Sequence, residues 1–125
     1  MILDTNALSA LADNHAGIKI LARTLDEIAI PVIALGEFRF GLRRSKFRSQ
    51  YEDWLKETLR VCRILVVDED TASEYAIVRE ELRPKGRPIP SNDMWIAALA
   101  RQHALSVVSR DGHFDSVPKV KRVSW

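Results

Sequence analysis

The sequence predicts an α/β fold: a mainly parallel sheet of four to five strands, covered by helices on both faces. Three observations carry this. Short β-rich runs alternate with helical patterns along the chain. One run, Ile64-Leu65-Val66-Val67, is continuous and β-branched, as in a strand buried on both sides. Helices separate the strands, which implies right-handed crossovers and parallel pairing. In such sheets ligands bind beyond the carboxyl ends of the strands, so the chemistry is sought there.

The elements follow in order. Ile2-Leu3-Asp4 is a short apolar run ending in an acid, a first strand. Residues 7–12 and 18–25 carry apolar side chains at helical spacing. Residues 28–33 form a second strand, in which Pro31 signals either an edge position or an early end. Leu35, Phe38 and Leu42 share one helical face; Tyr51, Trp54, Leu55 and Leu59 share another. Residues 64–67 are the third strand. Tyr75, Val78 and Leu82 mark a helix ended near Pro84 and Gly86. Arg87-Pro88-Ile89-Pro90 is a loop, after which Ser91 or Asn92 can cap a helix running through Trp95, Leu99 and His103. Residues 105–108 make a fourth strand and 120–123 a weaker fifth.

With 125 residues, 46% hydrophobic and 29% charged, the chain has the composition of one soluble globular domain spanning 1–125. Its single cysteine, Cys62, cannot form an internal disulfide and reads as a buried small hydrophobe. Met1-Ile2-Leu3-Asp4 lacks the basic start of a signal peptide, and no apolar run approaches the ~18 residues of a membrane span. A cytoplasmic protein without membrane contact is expected. The net charge of +2 is too small to announce nucleic-acid binding by itself.

The acids say more. Asp4 ends the first strand, and Asp111 follows the fourth with only Ser109 and Arg110 between. Both would project from the same edge of the sheet. Asp93 lies in the first turn of a helix, and Glu37 opens another just after the second strand. Singly, each has a structural explanation: Asp4 as an N-cap, Asp93 and Glu37 facing helix dipoles, Asp111 in a turn before Gly112. Together, four like charges at one edge repel unless a cation neutralises them. Carboxylate-rich sites suit Mg²⁺, with Mn²⁺ a second candidate. Competing chemistries lack their parts. There is no zinc-spaced His/Cys set and no GxxxxGK loop, and Ser91 and Ser109 have no evident His–Asp partners. His103 reads as a helix-end cation and His113 as turn packing.

Four segments resemble the motifs of PIN domains, in particular the VapC-like toxin ribonucleases of type II toxin–antitoxin pairs. They are Ile2-Leu3-Asp4-Thr5-Asn6, Ala34-Leu35-Gly36-Glu37-Phe38-Arg39-Phe40-Gly41, Asn92-Asp93-Met94-Trp95-Ile96-Ala97-Ala98-Leu99-Ala100, and Val108-Ser109-Arg110-Asp111-Gly112-His113-Phe114. Their order and spacing match across nearly the whole chain; Ser109 stands where the family often has Thr, keeping the hydroxyl. The resemblance implies a three-layer α/β/α PIN-like fold and a Mg²⁺-dependent endoribonuclease, with Mn²⁺ as an alternative ion. It assigns Asp4, Glu37, Asp93 and Asp111 to catalysis and metal binding. Thr5, Asn6 and Ser109 would support those acids, and Asp115, a fifth acid nearby, would either reach the metal's water or cap a helix. A homodimer is implied, as is a cognate VapB-like antitoxin whose C-terminal segment covers the acidic groove, with DNA reached only through that antitoxin.

Arg39, Arg43, Arg44, Lys46 and Arg48 form the densest basic cluster. They read as a solvated helical face, an RNA-holding rim beside repelling carboxylates, or an antitoxin contact. Arg83, Lys85 and Arg87 read as a plain surface loop. Phe38, Phe40 and Phe47 are either core or interface. Trp54 fits a core face, Trp95 the core or the floor of the site, and Trp125 a pin on the last strand. Two rivals remain. A receiver-like signalling domain would use Asp68, which follows the third strand, as phosphoacceptor; a non-catalytic RNA-binding PIN scaffold would gain nothing from the acids' repulsion. A phosphatase of the haloacid dehalogenase type would want a second Asp where Asn6 stands.

Overall fold

The computed structural model describes residues 1–86 and 88–125. Five strands are formed: β1 (Ile2–Leu3), β2 (Ala29–Pro31), β3 (Arg63–Leu65), β4 (Val107–Val108) and β5 (Arg122–Val123). They make one sheet in the order β3-β2-β1-β4-β5 with parallel pairing throughout. Six α-helices connect them: α1 (Thr5–Ala12), α2 (Ala16–Arg23), α3 (Val32–Leu42), α4 (Arg48–Leu59), α5 (Glu69–Leu82) and α6 (Ser91–His103). The predicted three-layer α/β/α arrangement is the one observed.

The layering follows from the two-residue period of strands. Ile2 and Ala29 point into a core shared with Val78, Leu82, Ile96 and Leu99 of α5 and α6. Their chain neighbours Leu3 and Ile30 point the other way. Leu3 meets Ala7 and Ile18 of α1 and α2, and Ile30 meets Phe38, Leu42 and Leu55 of α3 and α4. Full burial of each such Leu or Ile contributes about 1.5–3 kcal/mol. The sheet grows from β1 outward through β2 to β3, then resumes with β4 on the other side of β1. The order in which strands are added therefore reverses between β1 and β4, where crevices open at the carboxyl ends of doubly wound sheets.

Local chemistry sets the boundaries. Helix α1 starts at Thr5, two residues earlier than the apolar pattern predicts, because Asp4 caps it: the Asp4 carboxylate accepts from Ala7 N at 2.8 Å. Pro31 marks the early end of β2 rather than an edge, since β2 has β1 and β3 on its two sides. Pro31 also serves as N-cap of α3, so Val32 and Ile33 are helical. Helix α6 has Pro90 as N-cap without a side-chain bond, so neither Ser91 nor Asn92 caps it.

The third strand departs from expectation. β3 is an outer strand, Leu65 alone is buried, and Ile64 and Val66 are 42% and 58% exposed. A continuous β-branched run encodes extended backbone, but the number of neighbouring strands is set by topology. Trp54 packs with the α3–α4 core, where half-buried Cys62 also sits. Trp95 stacks on Tyr75 of α5 at 4.0 Å and so is no floor for the acids. Trp125 joins the Leu3–Val108 cluster with the Arg110 guanidinium over its ring. No helix among the described residues is long and apolar enough to cross a membrane.

Candidate active site

The carboxyl edge at the β1–β4 switch point gathers the acids. Asp4 follows β1 directly and is buried, its backbone N bonded to Val108 O of β4 at 3.3 Å. Asp111 comes three residues after β4; its backbone N donates to the Ser109 hydroxyl at 2.9 Å, and Ser109 is fully buried. Asp93 sits in the first turn of α6, half-buried, facing that pair. Glu37 rises from α3 and accepts from the Thr5 hydroxyl at 2.9 Å. Asn6 lies exposed in the first turn of α1.

Electrostatics register the convergence. Burial pushes the Asp4 carboxyl above its ordinary value; bonds from Ser109 and Ala7 pull it down, and the charges of Asp93 and Asp111 push it up again. Asp93 is likewise raised, first by burial. The His113 bond and charge oppose this, and the charges of Asp111 and Glu37 add to it. Asp4 thus feels the charges of Asp93 and Asp111, and Asp93 those of Asp111 and Glu37, the condition under which a divalent cation is stabilising.

Sequence reasoning missed one participant. His113 was expected to pack in a turn, with an approach to RNA beside Asp111 as the alternative. Its Nδ1 instead lies 3.0 Å from Asp93 Oδ2 and 3.0 Å from Asp111 Oδ1. The turn places it there: Asp111 caps the 3-10 segment Gly112–Ser116 by accepting from His113 N at 2.9 Å. The spacing Asp-x-His was the available signal, because a capped turn brings the side chain two residues on back over the capping carboxylate. Asp93, Asp111 and His113 each offer a ligand atom, all within 4.8 Å of one another. With Asp4 beside them, this oxygen-rich set fits a hard divalent cation of the Mg²⁺ or Mn²⁺ kind.

Asp115 does not join the cluster. Both its oxygens are taken by the Arg122 guanidinium, at 2.9 and 2.8 Å, which holds its carboxyl below the ordinary value. Asp115 caps no helix, the 3-10 segment being capped by Asp111, and its oxygens face Arg122. Arg122 also donates to Ser109 O at 3.1 Å, so Asp115 braces the end of β4 from a distance. Asp68, the receiver candidate, caps α5 through a reciprocal box with Thr71 and accepts from Gln102 at 2.9 Å. It is a structural acid, and the strand order 3-2-1-4-5 differs from the 2-1-3-4-5 of receiver-like sheets.

Two clefts reach the acids. One, of about 240 Å³, runs from Thr5 and Glu37 past Gly41 and Ser45 to Tyr51. The other, of about 480 Å³, is walled by Pro88, Ile89, Asp111 and His113. Beside the first lie the exposed Arg43, Arg44, Lys46 and Arg48, while Arg39 is engaged by Glu52 at 2.9 Å. Arg87 and the Lys85 side chain lie outside the described residues; Arg83 pairs with Glu80 at 3.6 Å. Phe38 is core, whereas Phe40 and Phe47 are 78% and 60% exposed.

Comparison with known proteins agrees with this geometry. Ribonuclease VapC5 of Mycobacterium tuberculosis is 37% identical over 101 residues, covering 74% of this chain and 74% of that protein. Toxin FitB of Neisseria gonorrhoeae is 31% identical over 121 residues, covering 89% and 87%. Among solved structures, VapBC2 from Rickettsia felis bound to a DNA fragment from their promoter matches with a TM-score of 0.86 at 27% identity, covering 99% of this chain and 97% of that one. The family model described as PIN domain matches residues 1–120. This chain belongs to the PIN domain family.

Proposed function

We propose that this protein is a VapC-like toxin: a metal-dependent endoribonuclease neutralised by a cognate VapB-like antitoxin. The observation that supports it best is the meeting of Asp4, Glu37, Asp93 and Asp111 at the β1–β4 switch point, felt as mutual charge repulsion by Asp4 and Asp93. A chain that only bound RNA would be weakened by those charges.

Asp4, Asp93 and Asp111 would hold the cation, Mg²⁺ with Mn²⁺ as an alternative, and such an ion would supply charge neutralisation for a phosphodiester, a more acidic water and stabilisation of a leaving oxygen. Glu37, steadied by the Thr5 hydroxyl, orients the attacking water and accepts its proton. The water oxygen bonds to phosphorus, one ester P–O bond breaks, and the leaving oxygen is protonated from solvent. Ser109 fixes Asp4 and Asp111 relative to each other through its hydroxyl. Asn6, exposed two residues after Asp4, lines the approach. Arg43, Arg44 and Lys46 track the RNA backbone beside the first cleft, and Arg39 contributes if it leaves Glu52.

Exposed Phe40 and Phe47 give the α3–α4 corner an apolar surface suited to protein contact, with a second copy or the antitoxin. DNA is reached through the antitoxin, and the setting is the cytoplasm. The direct test is RNA cleavage by the purified protein with EDTA and after adding back Mg²⁺. Cleavage abolished by EDTA and restored by the ion is expected; cleavage indifferent to EDTA would sink the reading.

A further inference from the structure

We propose that His113 Nδ1 is a nitrogen ligand of the cation held by Asp93 and Asp111, and that this donor shifts the site's preference from Mg²⁺ towards Mn²⁺. The inference rests on the metal-dependent reading above and adds to it a residue and a selectivity.

The geometry is specific. One nitrogen lies 3.0 Å from an oxygen of Asp93 and 3.0 Å from an oxygen of Asp111. Adjacent donors on an octahedral ion with bonds of about 2.1 Å are about 3.0 Å apart. The nitrogen therefore already has the spacing of a neighbouring ligand to each oxygen, and all three donors lie within 4.8 Å of one another. The ring's position is also built in. Asp111 Oδ1 holds the backbone N of His113 at 2.9 Å, so the carboxylate that would bind the ion fixes the residue that would join it. Phe114, next in the chain, is fully buried and anchors the turn in the core beneath. Asp93 approaches from a separate element, α6, whose first turn is set by Pro90.

The chemistry gives the direction of selectivity. Mg²⁺ keeps an all-oxygen shell and loses water reluctantly. Imidazole nitrogen binds first-row transition ions better, and Mn²⁺ combines that affinity with the same octahedral, oxygen-tolerant geometry. A site of carboxylates alone would leave the two ions nearly matched; a third donor of nitrogen separates them.

The test uses the full chain stripped with chelator and reloaded with Mn²⁺ alone. Pulsed electron paramagnetic resonance should show modulation from a directly bound nitrogen, changed by selective ¹⁵N-histidine labelling and absent in His113→Asn. Calorimetric titration should show the His113→Asn variant weakened for Mn²⁺ by ~10-fold or more and for Mg²⁺ by less than ~3-fold. Bound Mn²⁺ without nitrogen coupling in the wild type, or coupling that persists in the variant, overturns the ligand role. Either result leaves the carboxylate site standing, with His113 reduced to a hydrogen-bond partner. Failure of the wild type to bind either ion refutes the carboxylate site itself and this inference with it. The wild-type spectrum needs no variant to fold.

Discussion

Two places in this molecule gather carboxylates, and they treat the charge in opposite ways. At the α5–α6 seam, Glu74 and Glu81 share one guanidinium: Arg101, its side chain 8% exposed, lies 3.2 Å from the first and 2.5 Å from the second. At the carboxyl edge of the sheet, Asp4, Glu37, Asp93 and Asp111 converge, and among the described residues only His113 is close enough to form an ion pair with any of them. The residue types are the same. Where the charge serves the fold, an arginine fixed by packing neutralises it; where it serves chemistry, neutralisation is left to something that can come and go. Charge left open in a crevice is the physical mark of a site.

The comparison breaks most sharply at Asp93. Asp93→Asn keeps shape and removes charge, so RNA cleavage should fall by at least ~10³-fold, about 4 kcal/mol of barrier, with metal-free thermal stability at or above the wild type. Retained turnover would make the open acids decorative. Arg101→Met is the mirror experiment. It strands two partly buried carboxylates and should cost about 3 kcal/mol of folding free energy by urea unfolding. Turnover per folded molecule should stay unchanged. A variant equally lame in cleavage would show that the seam and the edge are not separable.

A third effect concerns Asp4 and pH. Burial raises the carboxyls of Asp4 and Asp93 above their unfolded values. Their protonation therefore stabilises the fold fully below the unfolded carboxylate value, and that stabilisation is lost as pH rises through the raised folded value. Asp68 and Asp115 shift downward, so their contribution is lost only as pH falls below the unfolded value, outside this window. In metal-free buffer, melting temperature should thus decline from mildly acidic towards neutral pH. Asp4→Asn preserves the α1 cap, since Asn caps as well as Asp. It should flatten that decline, and at neutral pH without metal it should be more stable than the wild type. Adding Mg²⁺ should raise the wild-type melting temperature and leave the variant's in place. A wild-type stability that rises across the window would reverse the assigned burial.

How much of this was legible in the sequence depended on whether a local pattern carried the information. Asp4 and Asp111 follow apolar strands, and strand ends in a parallel sheet share an edge, so their meeting could be argued from the residues. Glu37, in the second turn of α3 rather than at its start, and Asp93, in the first turn of α6, rested on motif resemblance, because nothing local says where a helical side chain will point. His113 was overlooked since its placement needs the turn geometry that Asp111 imposes. The pairing of Asp115 was not foreseen for the converse reason: its partner Arg122 is close in the chain, but only the pairing of β4 with β5 aims the two at each other. The β3 run failed similarly. Ile64, Val66 and Val67 satisfy the local criteria of a buried strand, but the outer place of β3 exposes Ile64, and Val66 and Val67 lie past the end of the strand, also exposed.

The smallest expected effect tests whether open positive charge complements open negative charge. Arg101 is spent on the fold, and Arg39 is engaged by Glu52. Arg43 and Arg44 are exposed at the end of α3, a helix that also carries Glu37. If they follow single-stranded RNA, each phosphate that goes unneutralised should reduce the slope of log affinity against log salt by about 0.7. Arg43→Ala with Arg44→Ala should then weaken binding of an uncleavable RNA several-fold at low salt, and the difference should shrink as salt rises. Stability should change by no more than about 0.5 kcal/mol, as for other exposed substitutions. An unchanged slope would assign these arginines to solvent or to a protein partner, and the cation that draws RNA towards the carboxylates would then have to be the metal alone.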